Sequence, residues 1–284
     1  MNYLSESDVA QLALHANDIR QIIVEMLSVA GSGHTAGSLG MADIFSALYF
    51  SILNYDPEDP NWEDRDRLIL SNGHIAPVRY AAMALAGYFE EEEANTFRTL
   101  GSRLQGHPER THLPGVETTS GPLGEGLGQA AGIALGARMD KKDFHTYCIM
   151  SDGEQQCGVT WEAVMFVGAQ KLANITAIVD RNNIQISGGT EDVMPLEPLR
   201  EKYESFGWHV LEVDGNDVEM FCDAVEQAKA EKKKPTAIIA HTVPGKGVAT
   251  IEGKCEWHGK VPDARLAEEW LNKLEDARKH IGNA

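Results

Sequence analysis

The sequence contains little cysteine and no long apolar run, and each shortage excludes a class of protein. The four cysteines among 284 residues form no C-x-x-C pair and no zinc-binding spacing, so we expect reduced thiols and no disulfide framework. No apolar stretch approaches the length of a membrane span, and the N-terminus lacks the pattern of a secretory signal. These observations predict a cytoplasmic protein with no membrane partner.

Positive charge is also scarce in this chain. The 25 lysine and arginine residues are outnumbered by 43 aspartate and glutamate residues, which gives a net charge of −18. Such a field repels nucleic acid and anionic lipid, so a nucleic-acid partner is excluded. With 43% hydrophobic residues and no Pro/Ser-rich linker, the chain is expected to form a single domain over residues 1–284.

Short apolar runs alternate with helical patterns through the central part of the chain. The runs with strand composition are LILS, TYCIMS, ITAIVD, HVLEVD and TAIIAHT. Helical patterns over 159–172, 196–206 and 216–231 separate the last four of these runs. Continuous apolar strands that alternate with helices predict an α/β fold of three layers, in which a mostly parallel sheet has helices on both faces.

Further helices flank this central region. A long amphipathic pattern over 7–30 ends at the glycines of AGSGHTAGSLG, and a second helix is predicted over 41–53. A third is predicted over 76–87, and the glycine-rich loop SGPLGEG precedes a helix of small residues. The last helix is expected over about 262–280.

The run TYCIMS ends in Ser151, Asp152 and Gly153, and no residue beside Asp152 in the sequence can neutralise its charge. The next run ends in Asp-Arg-Asn-Asn, which includes Asn182. Because open parallel sheets bind ligands at the carboxyl ends of their strands, Asp152 and Asn182 would lie side by side if their strands are neighbours. Their oxygens suit Mg²⁺ or Ca²⁺ and not zinc. A strand-end Asp-Gly pair alone is more typical of a turn cap, but the spaced asparagine favours a metal that bridges to a diphosphate.

This pair resembles the thiamine diphosphate signature, Gly-Asp-Gly followed by asparagine, with Ser151 where glycine is usual. The resemblance implies that Asp152, Asn182 and the carbonyl of Ile184 hold magnesium, and that Ile186 lies against the thiazolium ring. The signature indicates the cofactor and leaves the reaction open, since decarboxylases, 2-oxoacid dehydrogenases and transketolases all carry a version of it.

Four histidines lie beside glycines in predicted loops: His34, His74, His107 and His258. A single loop histidine is usually a hydrogen-bonded surface group. Four of them at loops that face one sheet edge favour proton transfer among hydroxyls and carbonyls, because imidazole titrates near working pH. The other histidines that we expect to be surface residues are His15, His145, His209 and His280.

The chain resembles transketolase in a series of segments with the same order and similar spacing: SGH, LSNGH, GHPE, GVETTSGPLGEGLGQAAGIALG, SDGE to DRNN, and WHG. The resemblance covers essentially the whole chain but only the front half of a full-length transketolase. The chain is therefore similar to the N-terminal subunit of a split transketolase. This implies transfer of a two-carbon ketol unit from a ketose to an aldose, with sugars or sugar phosphates as substrates.

The same resemblance implies roles for the four loop histidines. His74 and His258 would contact the diphosphate of the cofactor. His107 would hold the terminal hydroxyl of the donor sugar. His34 and His258 would stabilise the oxyanion or alkoxide while the carbon–carbon bond breaks and forms.

Other contacts to the cofactor are implied at Gly121, Leu123 and Gly153. Gly121 and Leu123 would face the aminopyrimidine, and Gly153 would give a backbone N–H to the diphosphate. The glutamate that activates the aminopyrimidine belongs, by the family pattern, to a pyrimidine-binding domain that this sequence lacks. We therefore expect a C-terminal partner subunit, an α2β2 assembly, and no activity of this chain alone.

Three positions depart from the family pattern. Ser151 replaces a glycine, Thr35 replaces the proline that commonly follows His34, and Cys157 replaces a glutamate that helps couple the two active sites across the dimer. The change at Cys157 bears on coupling and not on cofactor binding. A modified sugar, such as a sulfosugar or a branched sugar phosphate, stays open as the substrate.

Other interpretations compete with this one. The α subunit of a 2-oxoacid dehydrogenase also carries the metal signature on a separate chain, although GHPE, LSNGH and WHG resemble the sugar-handling segments of transketolase. A deoxyxylulose-phosphate synthase fits less well, since that enzyme is normally one longer chain. A non-catalytic scaffold relative would have no need of Asp152, Asn182 and the four histidines.

Overall fold

All five predicted apolar runs form strands of one sheet in the computed structural model, which describes residues 4–282. The strands are β1 (Arg67–Leu70), β2 (Thr146–Ser151), β3 (Ile175–Arg181), β4 (Ile184–Gln185), β5 (Gly188–Gly189), β6 (His209–Asp214) and β7 (Thr236–His241). The sheet has the order β1–β2–β3–β7–β6, and every neighbouring pair in it is parallel. The remaining two strands, β4 and β5, form a short antiparallel hairpin.

Helices cover both faces of this sheet. They are α1 (Glu6–Ala30), α2 (Thr35–Gly40), α3 (Ala42–Ala47), α4 (Ala76–Leu85), α5 (Gly126–Asp140), α6 (Gly158–Gln170), α7 (Thr190–Val193), α8 (Leu199–Ser205), α9 (Val218–Ala230) and α10 (Ala264–Ile281). Short helical turns lie at Leu48–Ile52, Gly73–Ile75, Glu91–Thr96, Gly153–Gln156 and Cys255–Trp257.

The buried side chains fall into two apolar clusters, one on each face of the sheet. Along β2, Tyr147 and Ile149 belong to the cluster shared with α1, α3, α4, α9 and α10. The alternate residues Cys148 and Met150 belong to the cluster shared with α5, α6 and α8. Side chains that alternate in this way are expected of a strand buried on both faces. The predicted three-layer α/β fold is therefore confirmed.

The predicted loop between the first two helices is shorter than expected. Helix α1 ends at Gly31, which has φ 64° and takes the left-handed conformation that suits glycine. Helical structure resumes at Thr35 and includes Gly37 and Gly40, so these two glycines do not break the helix. A β-carbon at Gly40 would lie 2.9 Å from the carbonyl oxygen of Val243, so this glycine permits a close contact between chain segments.

The structure differs from the predictions in two places after β3. The helix expected over 196–206 begins only at Leu199, because Pro198 occupies the position before the first turn and fixes the backbone there. The β4–β5 hairpin and α7 lie between Asn182 and this helix, in a stretch where the sequence showed no element. Ile184 lies in the first strand of this hairpin and Ile186 in its turn, so the hairpin forms part of the site described next.

Candidate active site

A cavity of about 440 Å³ lies at the carboxyl edge of the sheet, where β1, β2 and β3 end. All of the site residues that the sequence predicts line this cavity: His34, His74, His107, Gly121, Leu123, Asp152, Gly153, Asn182, Ile184, Ile186 and His258. Ser151, at the first glycine position of the signature, also lines the cavity, and three residues that the sequence did not indicate complete the lining: Gln156, Gln185 and Ser187.

Three imidazoles from three separate loops meet on one side of the cavity. The ring centroids of His34 and His74 are 4.9 Å apart, and that of His258 lies 5.3 Å from each of them. Helix α2 follows His34 directly, the turn Gly73–Ile75 carries His74, and the turn Cys255–Trp257 precedes His258. The buried Nδ1 atoms of His34 and His258 have no hydrogen-bond partner among residues 4–282.

Burial makes all three imidazoles hard to protonate. Burial, with smaller contributions from the neighbouring His258 and Arg98, lowers the pKa of His34 to about 4. Burial also holds the pKa of His74 well below its usual range, with His34 and His258 adding to the effect. The pKa of His258 is lowered by burial as well. At neutral pH these rings are therefore uncharged and can donate or accept a proton.

His107 lies on the solvent side of the cavity, apart from the three imidazoles. A β-carbon added at Gly121 would be 3.9 Å from its ring, so His107 packs over the glycine-rich loop. The guanidinium of Arg98 crosses Gly106, the residue before His107, closely enough that a β-carbon there would meet Arg98 Nε at 2.7 Å. Burial and then Arg98 lower the pKa of His107.

Asp152 is fully buried at the end of β2, and a residue on β3 neutralises it. Arg181 Nη1 lies 3.0 Å from Asp152 Oδ2, and the Asn183 N–H donates to the same oxygen at 2.8 Å. The expectation that no cation is at hand was therefore wrong, because the partner comes from the adjacent strand. Burial raises the pKa of Asp152, and the bonds from Asn183 and Arg181 oppose that rise.

The other oxygen of Asp152 has fewer partners. Among residues 4–282, Asp152 Oδ1 accepts only the Gly153 N–H, at 2.7 Å. This is the turn-capping bond typical of a strand-end Asp-Gly pair, and it leaves one lone pair of Oδ1 unused. The Asp152 carboxylate can therefore cap the turn and bind a metal ion at the same time.

Asn182 lies next to Asp152, as the sequence predicts, because β2 and β3 are neighbours with Ser151 opposite Asp180. Its amide Nδ2 donates to Asp180 Oδ2 at 2.8 Å, and its Oδ1 accepts the Ile184 N–H at 3.0 Å. The Asp180 carboxylate therefore fixes which end of the amide is the oxygen. Burial raises the pKa of Asp180 to about 7, the Thr242 hydroxyl opposes this, and Asp152 adds to it.

A third buried carboxylate, Glu154, holds the glycine-rich loop against the sheet through Ser71. The hydroxyl of Ser71 donates to Glu154 Oε1 at 2.6 Å and accepts the N–H of Gly126 at 3.1 Å. Burial raises the pKa of Glu154 to about 7, and these hydrogen bonds oppose the rise. Sequence analysis did not single out Asp180 or Glu154. The only signal for Glu154 was its place two residues after Asp152.

Oxygen donors and unpaired polar atoms make the cavity suitable for a metal ion and a diphosphate. Asp152 Oδ1 and Asn182 Oδ1 each have capacity for a hard cation, which is the ligand type that Mg²⁺ and Ca²⁺ prefer. Buried polar atoms of the lining without partners among residues 4–282 are His34 Nδ1, His258 Nδ1 and Gln185 Oε1. Unpaired buried polar groups are costly unless a ligand satisfies them. The residues present therefore fit these groups.

The outer part of the site is apolar and open. Leu123 is 40% exposed and Ile186, beyond the first strand of the hairpin, is 78% exposed. Cys157 is half-exposed at the start of α6, beside the glycine-rich loop, and a β-carbon at Gly124 would lie 3.0 Å from its Cβ. Burial raises the pKa of the Cys157 thiol.

Most of the remaining histidines lie away from the cavity. Of the four histidines predicted to be surface residues, His280 is exposed, whereas His15, His145 and His209 are half-buried. The His145 ring is 2.8 Å from Thr176 Oγ1. His15 stacks on Phe50 with the ring centroids 4.0 Å apart. Within residues 4–282, no helix is both long enough and apolar enough to cross a membrane.

Comparisons with known proteins agree with this site. Residues 12–277 match the family described as transketolase, thiamine diphosphate binding domain. The chain is 41% identical over 277 residues to the 6-deoxy-6-sulfo-D-fructose transketolase subunit SqwG of Clostridium sp. (strain MSTE9), with 97% of this chain and 99% of that protein aligned. It is 40% identical over 268 residues to one subunit of the apulose-4-phosphate transketolase of Phocaeicola vulgatus, with 94% and 95% aligned.

A solved structure shows the same fold. The transketolase of Campylobacter jejuni superposes with a TM-score of 0.87 and 36% identity, over 95% of this chain and 43% of that one. These likenesses do not favour a 2-oxoacid dehydrogenase, and the relatives are named as subunits of enzymes, not scaffolds. The chain belongs to the transketolase family, as an enzyme subunit that carries the thiamine diphosphate-binding domain.

Proposed function

We propose that Asp152, Asn182 and the carbonyl of Ile184 hold a magnesium ion that bridges to the diphosphate of thiamine diphosphate. The observation that carries this proposal is that Asp152 Oδ1 and Asn182 Oδ1, each with a lone pair to spare, line one cavity with three neutral imidazoles. Magnesium suits the site better than calcium, because it takes few protein ligands and completes its shell with phosphate oxygens and water.

The cavity walls would hold the rest of the cofactor. Gly121 and Leu123 would face the aminopyrimidine, and Ile186 would lie against the thiazolium ring, which accounts for two exposed apolar side chains. The Gly153 N–H now donates to Asp152 Oδ1. We expect it to turn to a diphosphate oxygen once a cation occupies that carboxylate oxygen.

The histidines would handle the sugar and the protons. When bound, thiamine diphosphate supplies the electron sink that stores the two-carbon fragment between donor and acceptor. His74 and His258 would donate to the diphosphate, and His107 would hold the terminal hydroxyl of the donor sugar. His34 and His258 would stabilise the oxyanion or alkoxide by hydrogen bonds, since their low pKa values keep them neutral and their Nδ1 atoms are free among the described residues.

The chain would act within an α2β2 assembly, with a C-terminal partner subunit that contributes the pyrimidine-binding domain. An apolar surface on α5 and α6 supports such an assembly. β-Carbons at Gly128, Gly132 and Gly136 would meet nothing within 4 Å, and Met165 and Phe166 on α6 are exposed. Helices that are apolar on every side are usually buried, so we assign this surface to a second copy of the chain.

Several broader properties follow from the same proposal. The chain would form one diphosphate-binding domain over its whole length and would act in the cytoplasm. Its donor would be a ketose or ketose phosphate, and its acceptor an aldose. Because two similar relatives are named for a sulfosugar and for apulose 4-phosphate, we propose that the substrate is a modified sugar of this kind.

The test is ketol transfer by the chain purified together with its partner subunit. Asp152→Asn should lower transfer at least about a hundredfold and abolish magnesium-dependent binding of thiamine diphosphate, because the metal loses its charged ligand. Asp143→Asn, at an exposed position, is the matched control and should keep full activity.

A second variant separates binding from chemistry. His107→Asn alters an exposed side chain, so it should retain the cofactor and the fold while transfer falls. Full turnover by the Asp152→Asn complex would refute the metal assignment. Consumption of a 2-oxoacid in place of a ketose by the wild-type complex would refute the reaction.

A further inference from the structure

Thr35 joins two loops of the site through its side chain. It is fully buried at the start of α2, directly after His34. Its hydroxyl donates to the carbonyl oxygen of Lys260 at 2.5 Å, and the two residues are 225 positions apart in the chain. The bond therefore links the loop of His34 to the loop of His258, which lies two residues before Lys260.

The segment on the other side of this bond has few hydrogen bonds to the rest of the protein. Residues 258–263 have no helix or strand. Among residues 4–282, the bond from Thr35 is the one hydrogen bond that joins residues 259–262 to the rest of the protein. Before the segment, the Trp257 ring packs against Trp270 with the centroids 5.2 Å apart, and within it Val261 packs against the main core.

The two imidazoles that flank the bond have a defined relative position. The rings of His34 and His258 are 5.3 Å apart and nearly perpendicular, at 88°. The Ser38 hydroxyl donates to the backbone carbonyl of His34 at 2.7 Å and so restrains the backbone that carries the first ring. The second lies two residues before Lys260, so the Thr35–Lys260 bond ties the segment that follows His258 to the residue that follows His34.

We infer that Thr35 is a positioning residue, which acts through Lys260 to hold His258 against His34 and the cofactor. The inference rests on the proposed function, in which His258 contacts the diphosphate. It also gives a reason for the departure at this position: proline, which the family pattern places here, fixes φ at the first helical turn but has no hydroxyl to donate. In this chain a hydrogen bond supplies the rigidity.

A purely local role for Thr35 does not fit the contacts. Threonine near the start of a helix often bonds to the first turn of that helix. Here the α2 N-terminus has no side-chain cap, and the Thr35 hydroxyl bonds to the distant Lys260 carbonyl. Burial without a partner would be costly for both groups, so the pair is favoured as a unit.

The test compares Thr35→Val with Thr35→Ser. Valine keeps the shape and β-branching of threonine but lacks the hydroxyl, whereas serine keeps the hydroxyl. Hydrogen exchange of the isolated full chain should show faster exchange over residues 255–263 in Thr35→Val and not in Thr35→Ser. In the complex with the partner subunit, Thr35→Val should bind thiamine diphosphate about tenfold more weakly, equivalent to about 1.4 kcal/mol, with Thr35→Ser within about twofold of wild type.

Different outcomes address different claims. If wild type binds thiamine diphosphate and Thr35→Val matches Thr35→Ser in both measurements, the positioning role is wrong and the proposed function stands. If exchange in Thr35→Val rises throughout α2 and the sheet, Thr35 serves general stability and the positioning role is also wrong. If the wild-type complex fails to bind the cofactor, the proposed function fails, and the exchange measurement alone still decides whether Thr35 holds the segment.

Discussion

Asp152 at the end of β2 and Arg181 at the end of β3 form a fully buried ion pair, with 3.0 Å between Oδ2 and Nη1. Arg181 also pairs with Glu191 at 2.6 Å and with Glu197 at 2.9 Å, so its guanidinium forms ion pairs with three carboxylates. Arg181 therefore opposes the rise in the pKa of Asp152 that burial causes, and it does so on the oxygen that is not proposed to bind the metal. This arrangement prepares the carboxylate before any metal arrives.

Removal of this cation should destabilise the chain strongly. Arg181→Met leaves Asp152 as a buried carboxylate with no counter-charge, and we expect the free energy of unfolding to fall by roughly 3–5 kcal/mol in urea titrations. Magnesium with thiamine diphosphate should recover part of the loss, since the ligands bind only the folded state. Arg200→Met, at an exposed pair with Glu204, is the control and should cost about 1 kcal/mol or less. Equal losses in both variants would contradict the role of the buried pair.

The charge of Arg98 should lower the pKa of His107, the histidine proposed to bind the donor sugar. Burial and then Arg98 lower the pKa of His107, so Arg98→Gln should raise that pKa, and the pKa of His34 with it. Histidine signals in NMR titrations of the free chain measure this directly. In the complex, the acid limb of the transfer rate should move to higher pH. Arg265→Gln removes the same charge at an exposed position on α10 and should leave both pKa values unchanged, because Arg265 contributes to neither shift.

Glu154 should make stability depend on pH with a defined sign. Its pKa in the folded chain is raised from 4.5 to about 7, because burial disfavours the carboxylate. Between these values the unfolded chain releases the proton and the folded chain keeps it. The contribution of Glu154 is therefore fully present below about pH 4.5 and is lost as pH rises towards about 7.

Urea unfolding at several pH values tests this contribution. Relative to Glu154→Gln, wild type should lose on the order of 2 kcal/mol of stability between about pH 4.5 and pH 7. Glu162→Gln, at an exposed position on α6, should run parallel to wild type over the same range. A constant difference between wild type and Glu154→Gln would show that Glu154 does not titrate there.

The glycine stripe on α5 should matter for assembly and not for the fold of the chain. A β-carbon at Gly132 meets nothing within 4 Å, so Gly132→Ala should stabilise the isolated chain by about 0.5–1 kcal/mol through helix propensity. Gly132→Trp should fold but fail to form the proposed α2β2 complex, because the indole would occupy the space proposed for the second copy. Sedimentation velocity measures this, with Glu275→Trp on exposed α10 as control. Normal assembly of Gly132→Trp would place the interface elsewhere.

The sheet and the lining of the cavity could be predicted from the sequence. Buried parallel strands are continuous apolar runs, and their carboxyl ends share one edge, so Asp152 and Asn182 could be paired from the sequence alone. The motif resemblance then placed the histidines in the same cavity.

The charge partners could not be predicted in the same way. Arg181 was visible in the sequence, but its pairing with Asp152 depends on strand register. Asp180 and Glu154 look like ordinary acidic residues until their burial is known. The bond from Thr35 to Lys260 spans most of the chain, and no local pattern indicates such a contact.

Leu123 and Ile186 are exposed on the open side of the cavity. This exposure would couple binding of thiamine diphosphate to binding of the partner subunit. A cofactor bound there would be covered only in part by this chain, and its exposed part would face the proposed partner subunit. Binding of the cofactor and binding of the subunit would then strengthen each other by the same factor, as linkage requires. Removal of thiamine diphosphate should therefore weaken the proposed assembly, and its return should restore it.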